Sequence, residues 1–282
     1  MTGVICKVNA DLDARNKIDY SLISPPRVQK TYIDLDLKGS IQHSGAQEQQ
    51  EAYIAPIILP ETWQSMVLVG LSEYFFNTLG KTYFLSDIIK LSLTQETDPH
   101  AFWLKTDDYG SIIPEMKKYY PKSETVILTV KATKTPVILL TSQITMQLEG
   151  ILEALAVLPY NVTEQIFAAS VEGTFLVDTM RLSNLNLKVS FIIQSFSLRD
   201  FRSSVGRVDV TGLEHSLGHM LQESVVHAIN SGLRSGIPMP SLANITLEES
   251  AISVTPGCLL MSMDMYYIPW RELMHMLPEH RT

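Results

Sequence analysis

Strict alternation of apolar and polar residues recurs along this chain, and two long stretches break it. Alternation over four to eight positions marks a half-buried strand, because successive side chains leave opposite faces. It is clearest at Thr31 to Lys38, Thr125 to Lys131, Gln143 to Leu148 and Leu182 to Phe191, the last with Leu185, Leu187, Val189 and Phe191 on one face. Asn244 to Leu247 and Leu259 to Tyr267 close the series; in the latter, Leu259, Met261, Met263, Met265 and Tyr267 alternate with smaller or polar residues. Turn residues such as Pro121-Lys122-Ser123 and Pro256-Gly257 separate these runs.

The two interruptions carry helical spacing. From Pro60 to Ser86, with Thr62 as a cap, Met66, Leu68, Val69, Leu71, Phe75, Phe76, Leu79, Tyr83 and Phe84 form a broad apolar surface. From Gly212 to Leu233, Leu213, Leu217, Met220, Leu221, Val225, Ile229 and Leu233 recur three and four apart. A helix and a run of strands, followed by a second helix and more strands, predict an α+β fold whose curved antiparallel sheet wraps the helices.

Composition narrows the function classes. The chain is 45% hydrophobic and only 18% charged, against about 25% charged in an average soluble domain. A net charge of -8 and the lack of a basic stripe exclude nucleic acid as a partner, since phosphate recognition needs clustered Lys and Arg. The same balance disfavours lipopolysaccharide phosphates and anionic membranes relative to neutral or zwitterionic lipid. The longest apolar runs, Ile54 to Leu59 and Met66 to Gly70, fall far short of the roughly 20 residues of a membrane-spanning helix. Met1 to Lys17 lacks the apolar core of a signal peptide.

Catalytic patterns fail on inspection. Gly80-Lys81-Thr82 resembles the end of a phosphate-binding loop, but Phe75 stands where that loop needs its first glycine. No nucleophile elbow, dinucleotide fingerprint or Cys-x-x-Cys occurs. His215 and His219 lie one turn apart and would need a third ligand, Glu214 or Glu223, to hold a metal; solvent-facing polar residues opposite the apolar stripe are the plainer reading. The adjacent pairs Asp107-Asp108 and Glu248-Glu249 would face opposite sides of a strand. No enzyme activity and no metal are therefore expected. Asn161-Val162-Thr163 and Asn244-Ile245-Thr246 are glycosylation acceptors if the chain enters the secretory pathway, and Cys6 and Cys258 give one possible bridge.

The block Val67-Leu68-Val69-Gly70-Leu71-Ser72-Glu73-Tyr74-Phe75-Phe76-Asn77-Thr78 resembles the opening helix of the carboxy-terminal domain in the family of bactericidal/permeability-increasing protein, lipopolysaccharide-binding protein and the phospholipid and cholesteryl ester transfer proteins. Ile18 to Pro26, Leu37-Lys38-Gly39, Tyr109 to Glu115 with Tyr120-Pro121, Ala156 to Asn161, and Gly236-Ile237-Pro238-Met239-Pro240 with Leu259-Leu260 and Asp264 are similar to family segments in the same order. The resemblance implies half of a boomerang: a highly twisted antiparallel β barrel around two long helices, plus part of a central sheet. It divides the chain into residues 1–24 as a remnant of the amino-terminal half and linker, 25–60 as a central-sheet strand and loop, 61–268 as the lipid-binding domain and 269–282 as a tail.

It also implies an apolar pocket for phospholipid acyl chains, with the phospholipid as ligand and no cofactor. Helix faces select Leu71, Phe75, Leu79 and Tyr83 from the first helix, and Leu217, Met220, Leu221 and Val225 from the second, as its wall. Lipopolysaccharide is expected as a weaker partner, and the location as extracellular despite the missing leader. Relative to the family, the amino-terminal barrel and its cationic surface are not part of this sequence; a truncated form is expected, with Cys6 parted from a disulfide partner. Its exposed sheet edge would suit self-association by strand pairing.

Overall fold

The computed structural model describes residues 8–43, 57, 59–60, 64–87, 89–96, 104–183, 185–239 and 245–267. In chain order the elements are β1 (Asn9–Asp11), β2 (Asn16–Asp19), β3 (Arg27–Val28), β4 (Ile33–Asp34), β5 (Ser40–His43), β6 (Val67–Ser72), α1 (Glu73–Leu85) and β7 (Lys90–Leu93). After one turn of helix, α2 (Met116–Tyr119), come β8 (Thr125–Ala132), β9 (Val137–Leu140), β10 (Ile144–Leu158), β11 (Val162–Ser183) and β12 (Asn186–Ser203). The chain then forms α3 (Val210–Gly232), β13 (Ile237–Pro238), β14 (Ile245–Thr255) and β15 (Cys258–Tyr267).

The mixture is α+β, as expected, but the main sheet is not a closed barrel. Among the described residues its seven strands run β13-β12-β11-β10-β8-β7, with β9 beside β10, and the two ends do not pair. Every pairing is antiparallel, and β10 shares one edge between β9, along Ile144 to Gln147, and β8, along Gly150 to Val157. Register shifts at Ala154/Leu155, Ala168/Ser170, Thr174/Phe175 and Val177/Thr179 interrupt the long β10–β11–β12 ladders. Each bulge adds local twist and re-aims the strand, so the sheet coils around α3, and its four-residue and two-residue end strands do not meet to close it. Two smaller sheets, β1-β2-β5 and β14-β15-β6, and the hairpin β3-β4 complete the β structure.

Three sequence expectations are corrected. The stretch from Pro60 to Ser86 is not one helix: Val67 to Ser72 pairs with β15, Leu71 opposite Leu259, and the helix begins only at Glu73. Alternating Val67, Val69 and Leu71 suit a strand, and Ser72, whose hydroxyl accepts from the Phe75 amide at 3.2 Å, supplies the cap expected of Thr62. Leu182 to Phe191 is not a single strand either, because β11 ends at Ser183 and β12 starts at Asn186, with Leu185 at φ 58° in the turn. Finally, Thr31 to Lys38 contributes only the two residues of β4 and a bridge at Leu37, and Ile33 and Leu35 remain exposed. The second helix matches its expected span to within two residues at each end; Asp209 caps it by accepting from the Gly212 amide at 3.1 Å.

Two large cores result. Under the far half of the sheet, Leu213 and Leu217 of α3 pack with Tyr109, Ile113, Met116 and Phe167. The other core joins all three sheets: Phe75, Phe76 and Leu79 of α1 meet Ile18 and Ile41, then Leu259, Met261 and Met263 of β15, and Ile138, Ile144 and Leu187 of the main sheet. A smaller cluster of Leu148, Phe175, Phe191 and Val226 lies beside α3.

Candidate functional site

Where α1, the main sheet and the carboxy-terminal end of α3 converge, the second core leaves an apolar cleft. Phe76 and Leu79 of α1 form one side, and Ile138 and Ile144 of β9 and β10 its floor. The opposite wall is Leu187, Val189 and Phe191, alternate residues of β12, continued by Val177 and Met180 of β11. Val177 and Met180 are three apart and share a face only because the Val177/Thr179 bulge resets the alternation. Leu233, Gly236 and Ile237, after α3, close the end. Among the described residues no charged or hydrogen-bonding side chain lines this cleft, and its free volume is about 50 Å³, below the roughly 300 Å³ at which small-molecule pockets usually begin.

The walls are held by two matching side-chain contacts. In α1, the Asn77 amide donates to the Ile138 carbonyl at 2.8 Å and accepts from the Ile138 amide at 2.9 Å. In α3, Asn230 treats Phe191 the same way, donating to its carbonyl at 3.0 Å and accepting from its amide at 2.8 Å. Both strand residues occupy non-hydrogen-bonded positions of their ladders, opposite Met146 and Val177, so their backbone groups point outward and need another partner. Each asparagine stands in for the missing strand. Glu73 extends the first contact by accepting from the Leu140 amide at 2.8 Å.

The amino-terminal segment locks onto the same region. The Tyr20 hydroxyl, its pKa pushed up by burial, donates to the Pro238 carbonyl at 2.6 Å. Thr78 and Thr82 of α1 meet the Ile41 backbone, Thr78 accepting from its amide at 3.4 Å and Thr82 donating to its carbonyl at 3.3 Å. Asp19 lies 3.5 Å from Lys38; burial works to raise its pKa, but hydrogen bonds from Ser21 and the Lys38 charge outweigh it and hold the carboxyl below its ordinary range.

Of the residues selected from helix faces, Leu71, Phe75, Leu79 and Tyr83 come together in the second core, with Leu71 contributed by β6 rather than α1. Only Leu79 reaches the cleft. Leu217 is fully buried in the first core, against which Val225 also packs. The side chains of Met220 and Leu221 lie outside the described residues, as do Asn244 and the side chain of His219. His215 is exposed on α3, and the neighbouring Glu214 accepts from the Leu198 amide at 2.6 Å. Among the described residues no group of three His, Cys, Asp or Glu side chains is arranged to hold a metal, and no helix is long and apolar enough to cross a membrane. Asn161 is exposed at the tip of the β10–β11 hairpin. Cys258 is a buried free thiol whose pKa is raised by burial. Of the other cleft residues, Phe76 and Leu233 stood in the two helical stripes, and the rest lie on strands or, for Gly236, in the turn after α3; among the strand residues the alternation of Leu187, Val189 and Phe191 was the readable signal.

A twisted antiparallel sheet wound on a helix, with an apolar cleft where it meets α1 and the end of α3, defines an α+β domain with an apolar site. The chain belongs to the LBP / BPI / CETP family, matching the model of its C-terminal domain over residues 10–267. It is 28% identical to the BPI fold-containing family C protein of Mus musculus over 93% of the chain and 51% of that protein. It is 26% identical to the bactericidal permeability-increasing protein of Sebastes schlegelii over 92% of the chain and 55% of that protein. With the lipopolysaccharide-binding protein of Bos taurus it shares 24% identity over 93% of the chain and 54% of that protein. A crystal structure of lipopolysaccharide binding protein has the same fold, with a TM-score of 0.55 at 22% identity over 93% of this chain and 57% of that one. The chain therefore spans about half the length of these relatives.

Proposed function

We propose that this chain binds an acyl lipid non-covalently in the cleft between α1, β9–β12 and the end of α3, as an extracellular protein that makes and breaks no bond. The observation that carries this reading is the lining: every contributing side chain is apolar, in a protein of a family whose members include lipopolysaccharide-binding protein. Moving hydrocarbon from water into such a site gains about 0.8 kcal/mol per methylene, which supplies the affinity without a polar anchor. The present free volume of about 50 Å³ means that the ligand enters by displacing side chains, and Met180 and Leu233 are unbranched at Cβ and able to change rotamer. Phospholipid is the ligand we favour, with lipopolysaccharide a weaker one given the net charge of -8. The test is to express the chain through a eukaryotic secretion pathway, extract it with organic solvent and identify bound lipid by mass spectrometry. Near-stoichiometric lipid supports the proposal, and a folded protein without lipid refutes it.

A second reading rests on the sheet order β14-β15-β6, which ends on the eleven-residue β14. Such an edge suits strand addition by another chain, and concentration-dependent dimers that form without lipid would favour it.

A further inference from the structure

The cleft draws on Ile144 of β10 and Val177 of β11, at one end of that ladder, and the hairpin that joins the two strands caps the other end. There Tyr160 is 99% exposed and Val162 53%. Two contacts bring α2 to the same end of the sheet. Thr125, the first residue of β8, pairs with Val157 beside the hairpin, and the Tyr120 hydroxyl, just past α2, bonds to Glu164. Tyr119, next to it, is 51% exposed. Met116 to Ser123 contains Lys117, Lys118 and Lys122 and no acid. All three lysines are exposed, and none forms an ion pair among the described residues. Of the flanking acids, Glu115 accepts from the Arg207 amide at 3.3 Å, Glu164 is engaged by Tyr120, and Glu124 is half-buried. Asp107 and Asp108 follow Lys105, which bridges Thr125 on the other edge of β8.

A single exposed aromatic residue is ordinary surface, but tyrosines grouped with unpaired lysines match the chemistry of a bilayer interface. A tyrosine ring sits at head-group depth with its hydroxyl in water, and lysine ammonium groups meet lipid phosphates. We propose that this end of the sheet docks on the surface of a bilayer that contains anionic phospholipid. Tyr160, Val162 and Tyr119 make the apolar contacts, and Lys117, Lys118 and Lys122 the charged ones. The net charge of -8 does not prevent this, because screening over about 8 Å at physiological salt leaves only charges near the membrane to act on it. Asn161 lies between Tyr160 and Val162, so a glycan there stands in the contact, and the unglycosylated chain is the form that docks. Lipid binding in the cleft is a separate matter on which this surface does not depend.

The experiment is co-sedimentation of the full chain, made without glycan in a bacterial host, with vesicles of phosphatidylcholine alone or with about a quarter phosphatidylserine. We expect the serine-containing vesicles to bind roughly fivefold tighter or more, and high salt to remove the difference. Combining Lys117→Gln, Lys118→Gln and Lys122→Gln should abolish that preference. Tyr160→Asn, which keeps a residue tolerant of left-handed backbone, should weaken binding to the serine-containing vesicles by roughly threefold or more. Melting temperatures check that both variants fold, and the chain glycosylated at Asn161 should bind more weakly than the unglycosylated one. Absence of vesicle binding by the unglycosylated chain overturns the proposal, and so does equal binding to the two kinds of vesicle. Binding that the variants and the glycan leave unchanged overturns it too, by placing the contact elsewhere. Loss of vesicle binding in Val189→Trp, with Tyr160→Asn binding as wild type, overturns it in favour of the cleft. The comparison of glycosylated with unglycosylated wild type locates the contact even if a variant does not fold.

Discussion

The side-chain amide of Asn77 exchanges two hydrogen bonds with the backbone of Ile138, at 2.8 and 2.9 Å, and so docks α1 on the open edge of β9. The second oxygen–nitrogen pair of this kind, Asn230 with Phe191, docks α3 on β12. Removing either amide leaves an N–H and a C=O without partners at a part-buried edge, where each unsatisfied group costs about 1–3 kcal/mol. Asn77→Ala is therefore expected to lower unfolding stability by roughly 2–4 kcal/mol, read from urea denaturation. Asn77→Asp should also destabilise, because a carboxylate accepts from the Ile138 amide but repels its carbonyl. The two sites lie on different helices with different partners, so the losses in Asn77→Ala and Asn230→Ala should add to within about 0.5 kcal/mol.

Leu217 and Leu79 were selected on the same grounds, as apolar residues on helix faces, yet the structure assigns them to different cores. Leu217→Ala should cost about 2–5 kcal/mol of stability and leave lipid stoichiometry unchanged. Val189→Trp should do the reverse. It fills the cleft with an indole, costs about 1–3 kcal/mol as an overpacked site, and abolishes bound lipid. Mass spectrometry of lipid extracts alongside denaturation curves separates the two effects, and lipid loss in Leu217→Ala would contradict the placement of the site.

How far the sequence could be read depends on how local the determinant is. The second helix was visible because the Leu213, Leu217 and Val225 spacing lies within one segment, although its Asp209 cap went unread. The strand at Val67 to Ser72 was hidden, since Leu68 and Leu71 also fit helical spacing and only the partner Leu259 to Met263, nearly two hundred residues away, decides between them. The long strands lost their pattern to bulges: the one at Val177/Thr179 shifts Met180 onto the face of Val177, which no period-two reading anticipates. The cleft was least visible, because it draws one to three residues from each of several elements and none forms a motif.

Stability should fall at both ends of the pH range, for separate reasons. Asp19 is held ionised by hydrogen bonds from Ser21 and by Lys38. With its folded pKa depressed, its contribution is present above the unfolded value of 3.8 and is lost as pH drops through the lower folded value. Asp19→Asn should flatten that acid limb. Tyr20 behaves oppositely. Burial raises its folded pKa above the ordinary 10.0, so the unfolded chain ionises first and stability declines as pH rises past about 10. Tyr20→Phe should be less stable at neutral pH, having lost the bond to Pro238, but should show a shallower alkaline decline. Melting temperatures across pH 2 to 11 measure both limbs.

The tip of the β10–β11 hairpin makes Asn161 the acceptor to test first. Tyr160 and Asn161 both adopt left-handed backbone, at φ 69° and 59°, which turns the chain sharply and leaves Tyr160 99% exposed. Asn161, Val162 and Thr163 are all exposed beside it, so the whole acceptor triplet is open to a glycosyltransferase and a glycan there would contact no core residue. Asparagine tolerates the left-handed region better than most residues, so Asn161→Gln adds some strain at the turn. Thr163→Val removes the acceptor signal while keeping Asn161 in place. Protein secreted from a eukaryotic host should carry a glycan that peptide N-glycosidase removes, and both variants should lose that mass while retaining wild-type melting to within about 1 kcal/mol. A glycan that persists in Thr163→Val would place the modification elsewhere, while loss of folding in that variant would mean that the hairpin tip, exposed as it is, depends on the Thr163 hydroxyl.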